Sequence, residues 1–370
     1  MSTSIREIKR MLEAAHHLPE GSKAVLATVV RIQGSSYRRT GARLLVTEKG
    51  QMVGGISGGC LEGDAMRKAL RVMDEGRPRI YRWDTTDPDG RVIGAGLGCR
   101  GIIDVLMVPM TRGQLEAALA PLQVRLDSRR PVWIAHPLAA DSAEVSMPLW
   151  WIEGEKPRPE FAERPEIEAL QDLASAKKGS FEARLATDEW FVEYLPPALR
   201  LVIVGGGYDV PPVLELAAVL GWQTAVVANL QSASAQRLAL AGELIHLRQK
   251  DVWAHVAVDP WTAVVLMSHD YALDLEALRA LAPSPAPYIG VLGPHKRHER
   301  MAGELPADWL SPNGLLHERR YAPIGLDIGA QTPEEIALSI VAEIRAVFAG
   351  RQGGHLRQRQ GGIYDYEAGE

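Results

Sequence analysis

The residues best suited to chemistry lie in a glycine-rich segment, residues 54–64, that contains one cysteine. Five of its eleven residues are glycines, which allow a sharp turn and let a ligand approach the backbone amides. Cys60 stands where a helix-like pattern begins, and the positive end of a helix favours thiolates and anions. The segment therefore suits an anionic ligand, a sulfur ligand or nucleophile, or both. The alternative is a glycine-rich turn in which a buried Cys60 packs as a small hydrophobe.

Two other loops carry comparable groups. Residues 33–41 offer two hydroxyls and two guanidinium groups, from Ser35, Ser36, Arg38 and Arg39. These groups suit phosphate or another oxyanion, and a solvated turn is an equal alternative. Residues 94–101 repeat the glycine–cysteine pattern around Cys99. If the strands that carry the two cysteines are neighbours, both thiols face one cleft.

Length and composition limit the classes of protein. At 370 residues the chain is long enough for two domains, and 46% hydrophobic with 24% charged residues is typical of a globular protein. A net charge of -5 without a long basic run argues against nucleic-acid binding. No apolar stretch of about 18 residues and no secretory pattern occur, so we expect a cytoplasmic protein without a membrane span. Cys60 and Cys99 lack CxxC spacing, which argues against a zinc ribbon or a thioredoxin-type motif.

The elements that must position these groups form a mixed α+β domain over residues 1–152. A capping box from Ser4 to Glu7 starts a helix with one apolar face. A second helical pattern follows the cysteine segment and ends at Gly76. Strands are predicted at residues 24–32, 42–47, 51–56 and 102–108. Residues 153–199 show no catalytic constellation and are predicted to bridge to a second domain.

Residues 200–350 predict a C-terminal Rossmann-like domain with a doubly wound parallel sheet. The predicted elements are, in order, strand 201–204, turn 205–207, helix 213–220 and strands 224–228, 263–267 and 288–292. A capping box at Thr332, followed by a proline, starts the last helix. Residues 351–370 are predicted to be a disordered tail.

The dinucleotide-binding pattern in this second domain is incomplete. Val210 stands where the fingerprint needs a third glycine or an alanine. Ala228 and Asn229 stand where an acid would hold the ribose hydroxyls. Asp209 is expected to cap the amides that a pyrophosphate needs, and to repel it. The sequence therefore disfavours NAD(P) while it supports the fold.

Polar groups also stand in three loops at the predicted carboxyl ends of strands, where open α/β sheets bind their ligands. These loops are residues 205–209, 268–270 and 293–297. His269 beside Asp270 suits an oriented acid/base or a metal ligand. The alternative is a chance dipeptide, because such pairs are common.

Together these segments resemble the XdhC/CoxI family of molybdenum-enzyme maturation factors. The matching runs in the first domain are residues 34–36 with 38–39, 54–64 and 96–99. In the second domain they are residues 205–209, 267–274, 288–297 and 323–343. The resemblance covers both domains and skips the middle. It depends on several long motifs in a fixed order, which makes it more specific than any single glycine pattern.

The resemblance implies a protein that binds the molybdenum cofactor (Mo-molybdopterin), protects its terminal-sulfido form and delivers it. The recipient would be an apo molybdenum hydroxylase of the xanthine dehydrogenase type. A cysteine desulfurase would supply the sulfur, and a homodimer without turnover of its own is expected. Such an anionic cofactor suits a glycine-cradled helix start, two arginines and a soft sulfur ligand.

The same resemblance assigns contact with the metal or its sulfur to Cys60, the cysteine of the family's Gly-Gly-Cys motif. The full set of expected cofactor-binding residues is Ser35, Ser36, Arg38, Arg39, Ser57, Gly58, Gly59, Cys60, Glu62, Cys99, Gly205, Gly207, Asp209, His269 and Asp270. Tyr208 replaces the usual histidine of the Rossmann turn, and Ala228 replaces the usual acid, which weakens any nucleotide role. Two alternatives remain: an NAD(P)-dependent oxidoreductase that uses the C-terminal domain, and a structural assembly partner whose glycine loops only shape turns.

Overall fold

Each half of the chain encloses its own apolar side chains, so the molecule consists of two units, Met1–Pro197 and Ala198–Glu370. The computed structural model describes residues 3–85, 101–138, 147–161, 163–177, 179–231, 233–360 and 363. Within these ranges no helix is both long enough and apolar enough to cross a membrane.

The central strand of the first unit is β1 (Lys23–Gly34), which lies in an antiparallel sheet. Alternate side chains of a strand point to opposite faces. Leu26 accordingly packs with helices α1 (Ile5–His16) and α3 (Arg112–Asp127), whereas Val25 packs with α2 (Glu62–Glu75). Because both faces are covered, β1 has a continuous apolar sequence rather than an alternating one. The sheet order is β3 (Met52–Gly54), β2 (Arg43–Thr47), β1, β5 (Gly101–Thr111) and β4 (Arg79–Asp84).

Local signals set the helix ends as predicted. At α1 the Ser4 hydroxyl accepts from the amide of Glu7, whose side chain accepts from the amide of Ser4. At the C-terminal end of α2, Gly76 adopts the left-handed conformation (φ 69), and its amide donates to the carbonyl of Val72. These caps are encoded within a few residues, so they can be predicted from the sequence.

A second antiparallel sheet completes the first unit. Its order is β7 (Leu149–Ile152), β6 (Val132–Pro137), β9 (Asp188–Leu195) and β8 (Phe181–Leu185), and α4 (Pro165–Ser175) shares its core. Residues 153–199, which we expected to bridge the domains, thus contain a helix and a hairpin of the first unit. The β8 strand escaped prediction because it is short and mixes charged with apolar residues.

A buried ion pair connects the two sheets of this unit. Arg43 of β2 donates hydrogen bonds to both carboxylate oxygens of Glu193 on β9, and to the carbonyl of Gly41 at 2.8 Å. The two side chains are only 2% and 6% exposed. Burial raises the pKa of Glu193, but the Arg43 charge, the hydrogen bonds from Arg43 and the nearby His136 ring outweigh it and lower the pKa to about 2. The carboxylate therefore stays ionised inside the protein.

The second unit contains a parallel sheet in the order β12-β11-β10-β13-β14-β15. In chain order the strands are β10 (Arg200–Val204), β11 (Gln223–Ala228), β12 (Glu243–His246), β13 (Thr262–Leu266), β14 (Tyr288–Val291) and β15 (Arg320–Tyr321). Helices α5 (Val210–Leu220) and α9 (Pro333–Val347) cover one face; α6 (Tyr271–Leu281) and α7 (His295–Gly303) cover the other, with the short α8 (Ala307–Leu310) after them. The predicted class, a mixed α+β domain followed by a Rossmann-like domain, is confirmed.

We expect Glu193→Ala to lower the free energy of unfolding by about 3–5 kcal/mol, because it leaves the buried Arg43 charge unpaired. Urea unfolding followed by circular dichroism measures the change. Glu182→Ala is the matched control, since Glu182 pairs with Arg31 at the surface, where an ion pair contributes about 0–1 kcal/mol. If Glu193→Ala does not fold, the double variant Arg43→Met with Glu193→Leu should fold, because it leaves no buried charge unpaired. Equal losses for the two alanine variants would contradict this role of Glu193.

The same carboxylate makes stability depend on pH. Its pKa falls from 4.5 to about 2 on folding, so its contribution is complete above about pH 4.5 and is lost as the pH falls toward 2. Burial lowers the pKa of His136 below 6.5, so this ring also reduces stability as the pH falls. We expect Glu193→Gln to flatten the unfolding free energy between about pH 4.5 and 2, measured by urea titration at stepwise pH. An unchanged slope would identify another group as the one that titrates.

Candidate functional site

Ser57 and Glu62 hold the loop over residues 54–64 in shape. The Ser57 hydroxyl accepts hydrogen bonds of 3.1–3.2 Å from the amides of residues 59–61 and donates to Glu62. Glu62 also accepts from the amides of Ile56 (3.1 Å) and Ser57 (2.8 Å). Burial raises the pKa of Glu62, but these hydrogen bonds outweigh it and keep the pKa below its ordinary value. Two side chains thus satisfy the amides that a sharp glycine turn leaves open.

Cys60 is exposed on this loop, two residues before α2 begins at Glu62. Its thiol is free, so the alternative of a buried, packed cysteine is wrong. Gly59 adopts φ 108, a conformation that residues with a side chain rarely take. Gly59 therefore turns the chain so that the amide of Cys60 donates to the Ser57 hydroxyl while Cys60 remains exposed.

A cavity of about 240 Å³ lies beside Cys60. Tyr37 forms part of its wall, and its ring packs over Gly58, where an added Cβ would lie 3.3 Å from the ring carbons. Thr85 and Gly101 exchange hydrogen bonds of 2.7–3.0 Å that join the ends of β4 and β5 beside the cavity. The lining residues are Ser35, Ser36, Tyr37, Ser57, Gly58, Cys60, Leu61, Thr85, Gly101 and Ile103.

The cavity gathers part of the set that the sequence singled out. The predicted residues that line it are Ser35, Ser36, Ser57, Gly58 and Cys60. Arg38 instead hydrogen-bonds through both terminal nitrogens to Glu7 of α1, and these bonds raise its pKa, so it stays charged but is already paired. Of the other predicted residues, the half-buried Arg39, the exposed Gly59 and the loop-holding Glu62 do not line the cavity, and Cys99 lies outside the described residues.

Sequence reasoning missed Tyr37 and Thr85 as lining residues. The sequence did contain a signal for Tyr37, which is the one aromatic residue in a loop of small and basic residues. In the structure its side chain is 65% exposed. Thr85 carried none beyond its place in a polar, turn-forming stretch. Its contact with Gly101 depends on the pairing of β4 with β5, which only the tertiary structure provides.

In the second unit, the loops after β10 and β13 bring Asp209 and His269 together. Nε2 of His269 lies 2.8 Å from Oδ2 of Asp209. The carboxylate side chain is 7% exposed, whereas the imidazole side chain is 54% exposed. Gly205 (φ 139) and Gly207 form the turn before Asp209, and an added Cβ on Gly207 would lie 2.6 Å from Oδ1 of that carboxylate. Because the strand order reverses between β10 and β13, the pair lies at the topological switch point of the sheet.

The expectation that Asp209 caps α5 is wrong. It occupies the N-cap position, but its side chain makes no capping hydrogen bond and contacts His269 instead. The helix begins with Val210, Pro211 and Pro212, so two of its first three residues have no N–H group. The start of α5 thus offers few amides to a pyrophosphate, which makes it a poor dinucleotide site for a different physical reason.

The neighbouring carboxylates support the loop after β13. Asp270 accepts from the amides of residues 272–273 and so caps α6, which is a structural role for a predicted site residue. Asp274 is fully buried and accepts hydrogen bonds of 2.6 Å from both Ser268 and Arg297. Burial raises the pKa of Asp274 despite those bonds. This cluster joins the loop after β13 to the helix that follows β14.

Comparisons with known proteins give matches over most of the chain. A family model described as the XdhC Rossmann domain matches residues 201–344, and one described as the XdhC and CoxI family matches residues 17–84. The chain is 30% identical over 338 residues to a protein of Bacillus subtilis (strain 168) that is named as a probable xanthine dehydrogenase subunit, and the match covers 90% of this chain and 95% of that protein. It is 28% identical over 335 residues to the "molybdenum cofactor insertion chaperone PaoD" of Escherichia coli (strain K12), with coverage of 90% and 86%.

A solved structure shows a similar fold. It is described as a crystal structure of a xanthine dehydrogenase from Bacillus halodurans at 2.80 Å resolution. The TM-score is 0.71 at 30% sequence identity, and the match covers 95% of this chain and 97% of that chain.

We expect Ser57→Ala to lower the free energy of unfolding by about 1–2 kcal/mol, because three amides lose their shared acceptor and Glu62 loses a donor. Urea unfolding measures the effect. Ser36→Ala is the matched control, since Ser36 lines the same cavity without a hydrogen bond within the described residues, and it should change stability by less than about 0.5 kcal/mol. Equal effects of the two substitutions would argue against Ser57 as the residue that holds the loop.

Proposed function

The chain belongs to the XdhC and CoxI family, and on this premise we propose that it binds the molybdenum cofactor, protects its sulfurated form and delivers it to a molybdenum hydroxylase of the xanthine dehydrogenase type. The cofactor is cargo here, so the chain acts on it as a chaperone without turnover. Two relatives carry names that support the proposal, a probable xanthine dehydrogenase subunit in one case and a molybdenum cofactor insertion chaperone in the other.

The observation that carries the proposal is the free, exposed thiol of Cys60 beside a cavity. A cysteine thiolate is a soft ligand, which suits a metal that is already bound by sulfur. In the described part of the chain, no three His, Cys, Asp or Glu side chains are grouped to hold a metal ion. Cys60 therefore suits a metal that arrives with its own ligands rather than a bare ion.

The remaining lining of the cavity also suits such a cargo. The hydroxyls of Ser35 and Ser36 are groups that donate hydrogen bonds to the oxygens of an oxo-metal or a phosphate. The ring of Tyr37 offers a surface on which a flat pterin stacks. A volume of about 240 Å³ lies below the roughly 300–1,000 Å³ of sites for whole small ligands, so the cavity receives one end of the cofactor.

The alternative of an NAD(P)-dependent oxidoreductase gains little from the second unit. Strand β11 ends at the buried Ala228, which provides no carboxylate for a ribose. The two prolines at the start of α5 remove amides that a pyrophosphate would need. A cysteine desulfurase as sulfur donor, a homodimer and a cytoplasmic location complete our proposal on the strength of the family resemblance.

We expect the purified protein to retain near-stoichiometric molybdenum and pterin after anaerobic mixing with molybdenum cofactor and removal of free ligand. Cys60→Ser should lose most of both, because the soft ligand is replaced by a hydroxyl. Tyr37→Ala should retain about tenfold less and Tyr37→Phe about as much as wild type, since a stacked ring contributes roughly 1–3 kcal/mol. Molybdenum is measured by mass spectrometry and pterin by fluorescence after oxidation.

An unrelated protein with one exposed thiol, at the same concentration, controls for adventitious capture. No retention by the wild type would contradict cofactor binding itself. Equal retention by wild type and Cys60→Ser would support a carrier role for the protein but would show that the Cys60 thiol does not contribute to binding.

A further inference from the structure

The pairing of Asp209 with His269 determines which imidazole nitrogen is available for chemistry. Nε2 lies 2.8 Å from Oδ2 of the carboxylate, so Nε2 carries the proton that the carboxylate accepts. Nδ1 then carries the lone pair, on a side chain that is 54% exposed. A buried carboxylate that orients an exposed imidazole is the arrangement by which histidine acts as a general base.

The chain maintains this arrangement although it is locally unfavourable. His269 adopts φ 61, in the left-handed region that is unfavourable for a residue with a side chain. Oδ1 of Asp209 is buried and has no hydrogen-bond partner in the described ranges. Gly207 must lack a side chain, because a Cβ would lie 2.6 Å from that oxygen. Backbone strain and a buried unsatisfied carboxylate oxygen that occur together often mark a functional site.

Charged groups at the starts of three helices lie around the loop that carries His269. Asp209 at the start of α5 is its direct partner. Asp270 directs its carboxylate to the amides of α6, and Asp274 of the same helix is paired with Arg297 of α7. Asp209 is thus the carboxylate that orients the ring, whereas the other two are committed to the loop.

The composition of the site limits its ligand. Pro211 and Pro212 remove two amides from the helix start, and the charge of Asp209 repels polyanions, so a polyphosphate is disfavoured. No third metal-ligating side chain joins the pair within the described residues. The amides of Gly206 and Gly207 have no acceptor there either, and are therefore available to a single oxyanion. These features favour a small, uncharged substrate whose reaction develops one negative oxygen.

We propose that Asp209 and His269, in the second unit, form a general-base site for the hydrolysis of small carboxylic esters. A water molecule gives a proton to Nδ1 of His269 while its oxygen bonds to the acyl carbon. The carbon–oxygen bond to the alcohol then breaks, and the leaving alkoxide takes the proton from Nδ1. The Asp209 carboxylate stabilises the imidazolium. The products are an acid and an alcohol, and no other reactant is needed.

The test uses p-nitrophenyl acetate and the full chain with Cys60→Ser and Cys99→Ser, so that acetyl transfer to thiols does not contribute. We expect many turnovers per chain. General-base catalysis contributes about 10²–10⁴-fold, so His269→Gln should reduce kcat at least tenfold. Asp209→Asn should reduce kcat more than it changes KM. His295→Gln, at another exposed histidine of the same edge, should change neither.

Gly207→Ala provides a second variant that keeps both partners but displaces the carboxylate, and it should also lower kcat. Circular dichroism of each variant separates loss of the site from loss of the fold. If Asp209→Asn does not fold, Gly207→Ala decides the role of the carboxylate. Hydrolysis by the parent that is no faster than by His269→Gln would overturn the proposal. So would a reaction that stops after one acetyl group per chain, because the ring would then be acylated instead of activating water.

Discussion

The buried ion pair between Arg43 and Glu193 is the constraint on which the first unit depends. The Arg43 side chain ties β2 to β9 of the other sheet, and its carbonyl accepts from the amide of Gly55 at 2.8 Å. Gly54 has no room for a side chain, because a Cβ there would collide with that carbonyl and with Met11. Sheet packing and the entry into the cysteine loop are therefore one connected structure. Since removal of either partner alone would leave a buried charge unpaired, Glu193, although distant in sequence, supports the strand that leads into the loop.

Within the loop, the residues divide between support and exposure. Ser57 and Glu62 accept hydrogen bonds from backbone amides of the loop. Arg38 is paired with Glu7, the glutamate of the capping box of α1. This internal satisfaction leaves Cys60 exposed with its thiol free. A hydrogen-bonded loop that presents one exposed thiol is consistent with the cargo-binding role proposed above. Within the described residues it lacks the additional metal ligands that would bind a bare ion firmly.

The second unit retains the Rossmann fold while changing the chemistry at its strand ends. Where a dinucleotide site has amides at the helix start, this chain has Pro211 and Pro212. Where such a site has a ribose-binding acid, it has the buried Ala228. The switch point holds instead a buried carboxylate and an exposed imidazole. Fold and ligand class are thus separable here, because the sheet depends on buried apolar strands and the ligand depends on a few loop residues.

The sequence by itself determined the elements whose signals are local: the capping boxes at Ser4 and Thr332, the glycine that ends α2 and the apolar strands of the Rossmann sheet. It also indicated Cys60 and the serines, because glycine spacing reveals a turn that exposes its neighbours. The sequence could not show which side chains pair with each other in the fold. That Arg38 pairs with Glu7 and that Asp209 contacts His269 60 residues away were decided by the tertiary structure alone. The physical reason is that a hydrogen bond depends on where strand ends meet in space, and local sequence patterns contain no such distance.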